Sequence, residues 1–126
     1  MKRLWISVAI LAGIFTAALA NHWYLDRLTG TLTDGLRAAQ TCAEAGDWAE
    51  AARLTGQVQQ RWQDSEGYLY VVLRHDETDG VATGLKEVRQ LLEWGEAAEY
   101  TSANAKLVEN IRLLAEMEAF NLKNLL

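Results

Sequence analysis

Residues 4–43 read LWISVAILAGIFTAALANHWYLDRLTGTLTDGLRAAQTCA, and two patterns of apolar residues follow one another in this stretch. The run from Leu4 to Ala20 contains only two polar residues, Ser7 and Thr16, and no charge. After it, apolar residues recur at steps of three and four, the spacing of one buried helix face: Leu25, Leu28, Leu32, Leu36, Ala39 and Ala43. The stretch therefore predicts one helix that crosses a membrane and continues into a helical domain.

The apolar run predicts a membrane anchor. A spanning helix needs about 17–25 apolar residues, and Trp23 and Tyr24 extend the run, so we expect membrane contact over residues 4–24. Lys2 and Arg3 precede the run, which predicts a single pass with a cytoplasmic N-terminus and an extracytoplasmic helical domain. We divide the chain into an anchor, residues 1–24, and a helical bundle, residues 25–126.

A cleaved signal peptide is the alternative interpretation of the same run. Ala18–Leu19–Ala20 has the A-x-A form of a signal-peptidase site. The helical spacing continues past this site and nothing between Thr16 and Asn21 would break a helix, which favours the retained anchor. Both interpretations place the remaining residues outside the cytoplasm.

The composition favours an all-α fold. The 126 residues suit one domain, and the absence of proline with only nine glycines indicates long helices. The single cysteine excludes an internal disulfide framework. Without Lys2 and Arg3, the 12 basic residues become 10 against 17 acidic ones, a net charge of −7 beyond residue 20. That charge argues against nucleic-acid binding and does not favour anionic lipid.

Helix boundary signals predict three helices after the first. Gly46 fits the end of the first helix, and Asp47 with Glu50 forms a capping box that opens the second. We expect the second helix to end before a cap at Asp64 or Ser65, the third to span about residues 68–94, and the fourth to run from about residue 99. Short connections then predict an antiparallel up-down bundle of about four helices.

Several segments together resemble the bacterial family called domain of unknown function 4363. They are Gly46–Asp47–Trp48, Trp62, the segment His75–Asp76–Glu77–Thr78–Asp79, and the ending Phe120–Asn121–Leu122–Lys123–Asn124–Leu125–Leu126. The resemblance implies a short, membrane-anchored, all-helical protein with an accessory role beside a membrane partner. It supplies no catalytic residue and no cofactor. Gly80 and Gly84 depart from the family pattern and put the regularity of the third helix in doubt.

His75 is the centre of a predicted polar layer. The spacing puts it on the same face as Val71, so we expect a partly buried ring that needs hydrogen-bond partners. Asp79 follows one turn later, and Asn110 or Asn121 could contribute from the fourth helix. Such a layer would set the register of the helices.

The membrane segment carries a stripe of small residues. Ala9, Gly13 and Ala17 are spaced by four and share one face, which lets another helix approach closely. The partner we expect is a membrane protein or a second copy of this chain.

No catalytic pattern stands out in the chain. There is no Gly-x-Ser-x-Gly, no phosphate loop and no Glu-x-x-His pair, so we expect no enzyme activity, no cofactor, no metal site and no small-molecule ligand. The interpretation we favour is an accessory or protein-interaction subunit of the bacterial cell envelope. A secreted helical binding module remains the alternative, and a metal-binding or enzymatic domain is the least favoured class.

Overall fold

Four α-helices form the protein in the computed structural model, which describes residues 1–125 and all side chains there except those of Asn121, Leu122 and Leu125. The helices are α1 (Lys2–Glu44), α2 (Trp48–Val72), α3 (His75–Trp94) and α4 (Ala97–Leu125). Residues 1–125 contain no β-strand. The predicted all-α class is therefore confirmed.

The helices pack as an antiparallel bundle. Each helix contacts two others, because α1 and α3 both pack against α2 and α4. The chain therefore runs up, down, up and down around one core. Residues from all four helices fill this core: Leu32, Leu36, Trp62, Leu69, Val81, Leu85, Tyr100, Leu107 and Ile111.

Two glycines end helices as their positions predict. Gly46 has φ 86° and Gly95 has φ 68°, backbone angles in the left-handed region that side chains with a Cβ rarely adopt. The Asp47 carboxylate then accepts a hydrogen bond from the Glu50 backbone N–H at 3.2 Å, which caps α2. The Glu50 side chain pairs with Arg53 instead of the Asp47 backbone, so only half of the predicted capping box forms.

The junction between α2 and α3 lies later than the sequence predicts. The expected break near Asp64 is wrong, because α2 continues to Val72 and only Leu73 and Arg74 are extended. Burial explains the continuation: Trp62, Ser65 and Leu69 follow one another at steps of three and four on the core face. Gly67, which falls within the predicted break, lies on the exposed face of α2.

Glycines allow close helix contact at two places. An ideal Cβ at Gly35 would lie 2.5 Å from Val58 Cγ2, and one at Gly84 would lie 2.8 Å from Leu107 Cδ1. Gly35 therefore permits the approach of α1 to α2, and Gly84 that of α3 to α4. An ideal Cβ at Gly80 would meet no neighbouring atom within 4 Å. The helix α3 is continuous through both Gly80 and Gly84.

The N-terminal part of α1 extends beyond the bundle. At about 1.5 Å per residue the 43-residue helix is roughly 65 Å long. Its buried residues begin at Leu25, and residues 1–20 are exposed except for half-buried Ala18. By length and composition, α1 contains a segment that could cross a membrane or serve as a signal sequence.

We expect Gly30→Ala to raise the free energy of unfolding and Gly35→Ala to lower it, although both residues lie in α1. Gly30 has open space around its Cα, so alanine should stabilise the helix by about 1 kcal/mol. Alanine at Gly35 meets the stiff, β-branched Val58, and overpacking typically costs about 1–3 kcal/mol. Alanine gains helix propensity at both positions but meets Val58 only at Gly35. Urea unfolding of the full chain in mild detergent, followed by circular dichroism, should therefore give Gly30→Ala a free energy of unfolding about 1–3 kcal/mol above that of Gly35→Ala. Equal stabilities would contradict the close approach.

Candidate functional site

The exposed apolar surface of α1 is the most prominent candidate site. Side chains such as Leu4, Trp5 and Leu11 are 68%, 74% and 69% exposed, and none of the residues in the most apolar stretch of α1 is buried. A run of this length without burial is unlike the core helix of a soluble domain, where the apolar face is covered.

Asn21 joins three helices directly after the apolar run. Its Oδ1 accepts a hydrogen bond from the Tyr68 hydroxyl of α2, and its Nδ2 donates to Glu118 Oε1 of α4 at 3.3 Å. One turn further along α1, the Tyr24 hydroxyl donates to Ser65 Oγ at 3.2 Å. These contacts place the ends of α2 and α4 at the level where the apolar run stops.

Aromatic side chains surround this level. We call Trp23, Tyr24, Tyr68, Tyr70 and Phe120 the collar, and all five are exposed. The Tyr24 and Tyr68 rings meet edge to face with centroids 4.9 Å apart. Burial raises the pKa of Tyr68, and the hydrogen bond from Tyr70 to Glu66 raises the pKa of Tyr70.

The sequence identified only part of the collar. Trp23 and Tyr24 belong to the segment predicted to contact the membrane, residues 4–24, whereas residue 68 is the predicted start of the third helix. Tyr68 instead belongs to the last turns of α2, where it faces outward beside Tyr24. The sequence does contain a signal for this placement. Tyr68 and Tyr70 lie next to three apolar residues, 71–73, and no helix-ending glycine separates them.

The small-residue stripe remains a prediction. Ala9, Gly13 and Ala17 lie on one face of the uninterrupted α1, and all three are exposed. Nothing lies within 4 Å of an ideal Cβ at Gly13, so this face is open to an approaching helix.

The polar layer predicted around His75 does not form as expected. His75 is exposed in the first turn of α3, and its ring lies 5.3 Å from that of Tyr70. Asp79 and Asn110 are exposed as well, and the side chain of Asn121 lies outside the described residues. The prediction that His75 is buried is wrong because the helix break at residues 73–74 shifts the core face of α3 to Thr78, Val81, Leu85 and Val88.

A different asparagine provides a buried polar contact between helices. Asn104 of α4 is fully buried, and its Nδ2 donates to the Leu36 carbonyl at 3.1 Å and to Gln40 Oε1 at 3.0 Å. Tyr100 is buried one turn earlier against Trp48, with ring centroids 6.3 Å apart. Burial raises the pKa of Tyr100 to about 12, so its hydroxyl is protonated at neutral pH.

The spacing of residues in α4 contains a signal for this contact. Tyr100, Asn104, Leu107 and Ile111 alternate at steps of four and three, so Asn104 occupies a core position of a heptad-like pattern. A polar residue at such a position is typical of a register-setting contact.

Few groups with catalytic or metal-binding chemistry come together in the described part of the chain. Residues 1–125 contain no group of three or more histidine, cysteine or acidic side chains placed to hold a metal ion. Cys42 is half-buried and packs against the core.

Comparison with known proteins identifies the family. The family model described as Domain of unknown function (DUF4363) matches residues 19–125, and the chain belongs to this family. This agrees with the resemblance carried by Gly46–Asp47–Trp48, Trp62 and the segment His75–Asp79. The match begins two residues before Asn21, so it covers the whole bundle and leaves most of the apolar run outside. No curated protein and no solved structure matches the chain.

We expect Asn104→Ala to lower the free energy of unfolding by about 1–3 kcal/mol, because it removes a buried side chain with two hydrogen bonds. Asn110→Ala is the matched control on the exposed face of the same helix and should stay within about 0.5 kcal/mol of the parent. Chemical unfolding of both variants in detergent measures the difference. A loss for Asn110→Ala as large as that for Asn104→Ala would contradict the assignment of the buried polar contact to Asn104.

Proposed function

We propose that this protein is a membrane-anchored accessory or interaction subunit of the bacterial cell envelope. The observation that carries the proposal is the exposed apolar run of α1, which lies outside the bundle core. About 20 residues of such a helix match the roughly 30 Å hydrocarbon core of a bilayer. An α-helix satisfies its own backbone hydrogen bonds, so α1 can pass from lipid to water without a break.

Charge supports one orientation of the anchor. Lys2 and Arg3 lie on the N-terminal side of the run, and positive charge is retained on the cytoplasmic side. The bundle is then extracytoplasmic, on a single-pass anchor.

An interaction role fits the chemistry of the chain better than catalysis. The sequence contains none of the catalytic motifs considered above, and its family is defined without an assigned reaction. The open face at Ala9, Gly13 and Ala17 supports a partner within the membrane, either another membrane protein or a second copy.

The alternative is a secreted module released by cleavage after Ala20. The buried residues of α1 begin at Leu25, so the core would survive the loss of the first 20 residues. Against this, the helix is uninterrupted through Ala18–Leu19–Ala20.

The topology predicts opposite labelling of two single cysteines in a Cys42→Ala background. A cysteine inserted after Met1, which leaves Lys2 and Arg3 in place, should react with a membrane-impermeant maleimide only after lysis of protoplasts. Ser102→Cys, at an exposed position of α4, should react in intact protoplasts. Labelling of both before lysis, or of neither, would contradict the proposed orientation.

The same variants separate the anchor from the cleaved signal. A retained anchor keeps the label of the inserted N-terminal cysteine on the full-length chain, and that chain stays with membranes after a high-salt wash. A mature chain that lacks residues 1–20 and appears in the medium would establish the secreted alternative.

We expect Gly13→Leu to weaken association of α1 with its partner helix, because a leucine prevents close backbone approach. A membrane two-hybrid assay at matched expression measures this. Ala12→Leu is the control, since it adds a similar side chain on a face turned by about 100°. If both variants retain the parental signal, the stripe does not mediate association.

A further inference from the structure

We infer that the anchor-side end of the bundle sits in the interface of the bilayer that α1 crosses, with the collar and Val71 contacting uncharged lipid. The inference rests on the proposed membrane anchor and adds a second contact with the membrane, made by α2 and α4. The bundle then rests on the bilayer instead of standing clear of it on a stalk.

The contacts of Asn21 set the height of each helix. Tyr68 and Glu118 both bond to Asn21, so these three residues share one level along the bundle. Because α2 and α4 run opposite to α1, the residues after Tyr68 and Glu118 lie beside the end of the apolar run. At about 1.5 Å per residue, α2 extends roughly 6 Å past this level and α4 roughly 10 Å. Half-buried Ala18 is consistent with α1 being partly covered there.

The collar fits the thickness of the interface. Tyr68 lies at the Asn21 level. The other four members of the collar are two or three residues away from this level, which is within about 5 Å along the helix axis. The polar region of a bilayer is roughly 5–8 Å thick on each side of the hydrocarbon core. If the apolar run fills the hydrocarbon, the collar therefore straddles its boundary. Tyr70 and Phe120 lie about 3 Å on the hydrocarbon side of the Asn21 level, and Trp23 and Tyr24 lie about 3–5 Å on the polar side.

The side chains at this end suit an interface. Tyrosine and tryptophan present apolar rings with one polar group and are enriched at the membrane–water boundary. Val71 is 83% exposed and Phe120 is 63% exposed, although neither has a polar group that favours water. Both project from helix segments on the membrane side of the Asn21 level, where lipid would cover them.

Charge identifies the class of lipid. Acidic residues outnumber basic ones around the collar, and there is no basic patch: Asp26, Glu66, Asp76, Glu77, Asp79 and Glu118 against Arg27, Arg74 and Lys123. The chain beyond residue 20 carries a net charge of −7. Anionic headgroups would therefore find no favourable electrostatic interaction here, and the contact depends on apolar and aromatic surface.

Spin labels on the full chain test the inference. Single cysteines in a Cys42→Ala background replace Val71 near the collar, Ala98 at the opposite end of the bundle and Ile10 within the apolar run. All three positions are exposed, so the substitutions leave the core intact. The proteins are reconstituted in phosphatidylcholine vesicles, and power saturation compares access of molecular oxygen with access of a polar nickel chelate. We expect the Val71 label to be several-fold less accessible to the nickel chelate than the Ala98 label, and more accessible to oxygen.

The three labels distinguish the outcomes. Equal nickel access at Val71 and Ala98, with the Ile10 label inside the bilayer, overturns the second contact and leaves the anchor in place. An Ile10 label accessible to the nickel chelate overturns the anchor itself. A Val71 label shielded from both reagents means that protein, such as a second copy, covers this end, and that also overturns the inference. Deeper burial of Val71 on addition of phosphatidylserine would contradict the choice of uncharged lipid.

Discussion

The unbroken α1 helix is the constraint on which the rest of the structure depends. Its first half is apolar on all sides, and its second half is apolar on one stripe that begins at Leu25. The helix supplies its own backbone hydrogen bonds, so the change from an exposed apolar surface to a single buried stripe requires no change in backbone conformation. Because α2 and α4 both pack on the second half, the position of the bundle relative to the apolar run is set by this one element.

Polar contacts fix the register of α1 with its neighbours at two levels. Asn21 bonds to Tyr68 and Glu118 at the end of the apolar run, and Asn104 bonds to α1 at Leu36 and Gln40. A slide of one turn, about 5.4 Å, would separate these hydrogen-bonded groups, whereas leucines could still pack against other leucines in the new register. Apolar burial therefore accounts for most of the stability, whereas the asparagines select one alignment.

Features that depend on neighbours in sequence were predictable. The left-handed glycines at Gly46 and Gly95 and the Asp47 cap are local, because a helix end is decided within a few residues. The α2–α3 junction was not predictable in this way. The capping residues Asp64 and Ser65 suggest a break there, yet Trp62, Ser65 and Leu69 remain on the core face. The predicted burial of His75 is wrong for the same reason, since a later break gives α3 a different inner face.

By itself, the sequence determined the all-α class, the apolar N-terminal segment, its continuity with the first bundle helix, and the family. These properties follow from composition, periodicity and local signals, which fold with little help from distant residues. Only the tertiary structure decided that Asn104 is the buried polar residue, that Gly35 and Gly84 permit close helix contact, and that Tyr68 joins Trp23 and Tyr24 in one collar. The physical reason is that burial and contact depend on which faces of separate helices meet, and a misplaced helix boundary puts the residues beside it, such as His75, on the wrong face.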